Sequence, residues 1–147
     1  MAETKSTKSG FTADERDAMK QRAAELKAQA KATDLRASGT KDVLDAIAKL
    51  DGVDRKLATR LHEVVTAAAP QLVPKTYYGM PGWANADSKI VCFFQPASKF
   101  KVRYGTLGFE TVSKLDDGTM WPTAFAILEL TPSHEKAITA LVKKAVG

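Results

Sequence analysis

The feature that most constrains this fold is a change of hydrophobic period near Pro74. Upstream, Leu57, Leu61, Val64, Val65 and Ala68 stand at i, i+4, i+7, i+8 and i+11, a broad helical core face. Pro70 and Pro74 stop that helix, because proline lacks the amide donor and its ring clashes with the preceding turn. Downstream, "KIVCFFQ", residues 89–95, is β-branched and aromatic. Helix-period segments followed by strands on short turns predict an α+β class. A small antiparallel sheet packs against helices, with an N-terminal helical segment and a C-terminal helix.

The upstream half begins with residues 1–10, small and polar, read as a disordered tail. "TADE", Thr12 to Glu15, fits a capping box that opens a helix to about Thr33. Its apolar stripe, Met19, Ala23, Leu26 and Ala30, is narrow. "TDLRASGTK", residues 33–41, reads as a linker broken at Gly39. Residues 11–41 are thus a helical extension and linker, and 42–147 form the main domain. There "DVLDAIAKL" is a second helix, and the third runs from about 54 to 69.

In the downstream half "KTYY" reads as a short strand and "NADS", residues 85–88, as a turn. "KIVCFFQ" is apolar on both faces, which marks a central, fully covered strand. "KFKVRYG", residues 99–105, alternates, with Phe100, Val102 and Tyr104 on one face and Lys99, Lys101 and Arg103 on the other. "TAFAILEL", residues 123–130, is a further strand. The final helix opens with Thr131 as N-cap and Pro132 at its first position.

Composition bounds the function. The chain of 147 residues fits one domain, and its single cysteine, Cys92, allows no internal disulfide. The polar N-terminus lacks a secretory h-region, and no apolar run is long enough to span a membrane. The expected location is the cytoplasm. The net charge of +5 is spread evenly along the chain, with no basic stripe, which argues against a nucleic-acid partner.

"YYGMPGW", Tyr77 to Trp83, is the candidate binding segment. Its large side chains flank Gly79, Pro81 and Gly82, which oppose continuation as helix or strand. Tyr and Trp carry polar tips suited to the rim of a mostly apolar pocket. The candidate ligand site is Tyr77, Tyr78, Met80 and Trp83, with Trp121 nearby and Lys101 or Arg103 supplying charge. The expected ligand is a small anionic molecule or a protein partner. Plain core packing of the aromatics and a solvated basic face are the competing readings.

No catalytic or cofactor motif is present. Ser133 adjoins His134, but no nucleophile elbow or P-loop accompanies them. The first reading is therefore a non-enzymatic binding domain, with an enzyme that carries no local signature, centred on His62 or His134, as a third alternative. His62, His134 and Cys92 lack metal-ligand spacing, and no cofactor is expected. The alternative is iron on Asp42, Asp45, Asp51 and Asp54, four carboxylates near one helix–turn–helix.

From Asp42 onward the chain resembles the YdhG-like family of small bacterial proteins. The resemblance rests on a helix ending in "AP", then "YGMP", then "VCFF", with a late "DDGTMWPTAFAILEL" and a C-terminal helix. It implies an antiparallel sheet backed by helices. Some family members are described as frataxin-like iron chaperones, which gives the iron alternative its context. The resemblance implies no catalytic residues.

Overall fold

The computed structural model describes residues 12–147. The tail assigned to residues 1–10 lies outside them. The chain divides into two units, one ending at Leu35 and one spanning Arg36–Gly147.

Helix α1 runs from Ala13 to Ala48, and helix α2 from Gly52 to Ala68. The amide of Glu15 donates to the Thr12 hydroxyl at 3.1 Å, and that hydroxyl donates to the Glu15 carboxylate at 3.2 Å. The cap is present, though Glu15 meets the hydroxyl rather than the Thr12 amide. The described residues of the first unit are all exposed, including the stripe residues Met19 and Leu26.

Residues 33–41 are helical, not a linker. Gly39 is spent on contact rather than on a break. A Cβ there would sit 2.0 Å from the carbonyl oxygen of Pro74. A glycine inside a helix costs about 1 kcal/mol relative to alanine, and close packing is the usual reason to bear it. The same stretch is fastened by Arg36, whose guanidinium donates to the Leu72 carbonyl at 3.0 Å.

The sheet has five antiparallel strands in sequence order: β1 (Val73–Pro74), β2 (Gly82–Ala84), β3 (Ile90–Gln95), β4 (Gly105–Phe109) and β5 (Ala124–Ile127). Helix α3 (Pro132–Val146) closes the chain. Thr131 caps it as the sequence predicts, accepting from the His134 amide at 3.2 Å. The "NADS" turn is also present, with the Asn85 side chain accepting from the amides of Asp87 and Lys89.

The register puts Trp83 beside Cys92, Cys92 beside Phe109, and Phe94 beside Leu107. Directly paired residues share a face. This face meets Leu57, Leu61 and Val65 of α2, Ile138 and Val142 of α3, and Val43 and Ile47 of α1 in one buried cluster. Each fully buried large side chain contributes about 1.5–3 kcal/mol, so this cluster is the main stabilising term.

Three strand expectations differ from the structure. "KTYY" is not a strand, whereas "GWA" is, although Pro81 and Gly82 read as breakers. Pairing on both sides, with Pro74 and with Cys92, carries Trp83 through the sheet. The central strand β3 is not covered equally on both faces: Cys92 and Phe94 are fully buried, whereas on the other face Val91 is buried and Phe93 only half. Finally "KFKVRYG" is not a strand. Ser98–Phe100 is a short 3-10 turn, Lys101 has φ +54°, and β4 starts only at Gly105. Phe100, Val102 and Tyr104 are all exposed, so the alternation has no core behind it.

Candidate functional site

Tyr77 to Met80 form a two-residue hairpin. Tyr77 and Met80 exchange backbone hydrogen bonds of 2.8 and 2.9 Å. Tyr78 and Gly79, the two central residues, have φ +50° and +77°. Positive φ at both positions is the type I′ pattern, which favours Asn-Gly. Glycine fits the second position without strain. Tyrosine at the first does not, because an L-residue with positive φ crowds its Cβ against the following carbonyl.

The strained tyrosine points outward. Tyr78 is 81% exposed, and its ring leans edge-on against Tyr77 with centroids 4.7 Å apart. Tyr77 in turn packs on Phe93 at 5.1 Å, and its hydroxyl meets the Glu110 carboxylate at 3.2 Å. Loss of hydration around the ring, then the Glu110 charge, raises the Tyr77 pKa above the ordinary phenol value. Phe93 lies across Gly108, where a Cβ would meet the ring at 2.4 Å. An aromatic ledge of three rings thus runs from the sheet to the hairpin tip.

Lys99 fastens the tip. Its ammonium donates to the Tyr78 carbonyl at 3.2 Å. Beside it lies a depression of about 450 Å³, walled by Gly79 and Pro81 of the hairpin, Lys99, and Asp42, Asp45 and Lys49 of α1. Lys41 pairs with Asp45 at 2.8 Å, and Asp45 raises the Lys41 pKa through that bond and its charge. With Asp45 so paired, Asp42, Lys49 and Lys99 are the remaining charged residues on the wall of the depression.

The other sequence candidates fall elsewhere. Met80 and Trp83 are buried, and the Trp83 indole donates to Nδ1 of His62 at 3.3 Å. Trp121 is half-buried against the core cluster. Lys101 is exposed and closes the 3-10 turn through its amide. Arg103 stands over the Tyr104 ring at 5.4 Å, on the rim of a different groove between β5 and α3. Of the seven candidates, only Tyr77 and Tyr78 share the hairpin-tip surface. Lys99 and Phe93 join them without having been assigned to the site, because only the folded strand order brings residues 93 and 99 to residue 78.

The four aspartates do not converge. Asp54 is buried and fully used as a cap. Its carboxylate accepts from the amides of Ala97 at 3.1 Å and Ser98 at 3.2 Å, and from the Ser98 hydroxyl. Asp51 precedes α2 and is exposed, and Asp45 is paired with Lys41. Among the described residues no group of three or more His, Cys, Asp or Glu could hold a metal ion. The iron alternative therefore loses its ligand set. Cys92 is buried, with its pKa pushed up to about 12 by desolvation, so it is no nucleophile at neutral pH.

Among the described residues no helix is long and apolar enough to cross a membrane. Comparisons with protein-family models, with curated proteins and with solved structures find no match to this chain.

Proposed function

We propose that the protein is a non-enzymatic binding domain whose contact surface is the Tyr77–Met80 hairpin tip and the depression beside it. One observation carries this reading. A bulky aromatic occupies a left-handed position where asparagine or glycine would fold more easily, and its ring is left in solvent. Backbone strain retained at an exposed site is a reason to look there for function. Asp45 on the wall is paired with Lys41, so Lys49 and Lys99 exceed the remaining carboxylate, Asp42, which favours a small anionic ligand, and the Tyr78 ring supplies a flat apolar contact. We also propose, on the motif residues alone, that residues 42–147 are a YdhG-like domain.

The test is a thermal-shift panel of small carboxylates and phosphate esters. The reading expects at least one compound to raise the unfolding midpoint saturably in the wild type. Neither Tyr78→Asn nor Lys99→Ala should respond. A panel with no saturable response, or a response that both variants retain, contradicts it.

A further inference from the structure

We propose that the free edge of β5 pairs antiparallel with β5 of a second copy of this chain. The sheet order leaves β5 at one edge. The Phe109 amide donates to the Thr123 carbonyl at 2.8 Å, which fixes the phase of the β4–β5 ladder. Thr123, Phe125 and Ile127 turn their backbone groups toward β4, so Ala124 and Ala126 turn theirs outward. Among the described residues no hydrogen bond covers those outer groups.

The two edges of the sheet are treated differently. β1 is two residues long and carries Pro74, a feature that blunts an edge. β5 has no proline, lysine or bulge within it, and Trp121–Leu128 contains no charged residue. Pro122, two residues before β5, ends the outward-facing amides on that side, and the edge from Ala124 onward is open as a template for strand pairing.

A second copy fits this edge in shape and charge. Two-fold pairing of the outward-facing positions, centred on Ala126, sets Ala126 against itself and Ala124 against Leu128, the bend residue just past β5, of the other copy. Ala124 and Ala126 are small and exposed, and Leu128 is 60% exposed, so small side chains meet a large one. No like charges are opposed, because Glu129 would face Thr123. The same edge borders an apolar groove of about 580 Å³ lined by Phe125, Ile127, Leu130, Ile138 and Leu141. A two-fold axis at Ala126 brings both copies of this groove together. Isologous contacts of this type are the commonest route to closed dimers.

Sedimentation equilibrium of the full chain, from micromolar to near-millimolar concentration, tests the proposal. It expects a reversible dimer. Ala126→Pro deletes the outward amide at the axis, and Leu128→Glu adds a charge to the apolar contact. Each should shift the species to monomer with unchanged far-ultraviolet circular dichroism. If Ala126→Pro fails to fold, Leu128→Glu decides alone. A chain that stays monomeric throughout overturns the proposal, as does a dimer that the folded variants leave intact.

Discussion

The indole of Trp83 donates to Nδ1 of His62 across 3.3 Å, and the two rings stack with centroids 6.2 Å apart. Tryptophan can only donate, so Nδ1 must be unprotonated. The bond therefore joins a fully buried side chain to the neutral state of a half-buried one. Burial lowers the His62 pKa below 6.5, and the Glu63 charge opposes this more weakly. The unfolded chain then binds more protons than the folded one just below pH 6.5, so stability falls as the pH drops. The contribution is complete above that value and is lost as pH falls through the folded value. Thermal unfolding from about pH 7.5 to about pH 5.5 should show a declining midpoint. His62→Gln, which can still accept but does not titrate, should flatten that part of the profile. An unchanged slope in the variant would contradict the assignment.

Gly39 offers a test in which two principles predict opposite signs. Helix propensity alone says that Gly39→Ala stabilises by about 1 kcal/mol. The 2.0 Å approach of a Cβ to the Pro74 carbonyl says that it destabilises. Overpacking costs about 1–3 kcal/mol and should win, because the obstacle is backbone rather than a flexible side chain. Denaturant unfolding of the variant gives the sign directly. A gain in stability would show that α1 and β1 do not pack as described.

Asp54→Ala should destabilise by about 1–3 kcal/mol, because it strips acceptors from two backbone amides at the end of β3. Asp54→Asn keeps one acceptor oxygen and should cost less. Chemical denaturation of both variants checks the order. If both are neutral, the Asp54 cap is not what shapes residues 97–101.

Tyr78→Asn converts the hairpin to the Asn-Gly pair that a type I′ turn prefers. Relief of left-handed strain should raise stability by about 1 kcal/mol. The same change removes the exposed ring. The variant should therefore be more stable and show no saturable response to ligand, a trade found where strain serves a site. A loss of stability would mean that the ring's contact with Tyr77 outweighs the backbone strain.

Much of the fold was legible in the sequence, since period and capping are local signals. The α2 core face, the Thr131–Pro132 helix start and the Asn85 turn all follow from residues a few positions apart. What was not legible depends on distant partners. Gly39 looks like a break until Pro74 is beside it. "KFKVRY" has the alternation of a strand, but Asp54, far back in the chain, caps the amides of Ala97 and Ser98 and turns it aside. Pro81 and Gly82 look like breakers, yet β2 passes between β1 and β3. The candidate site divides in the same way. Tyr77 and Tyr78 were visible from the turn chemistry, whereas Phe93 and Lys99 reach them only through the sheet.

The most direct measurement is amide chemical-shift mapping of the full chain against the same carboxylates and phosphate esters. A hairpin-tip binding surface predicts saturable shifts that concentrate at Tyr78, Gly79, Lys49 and Lys99 and vanish in Lys99→Ala. Saturable shifts confined to other parts of the sheet or to α3, or none with any compound, would contradict it.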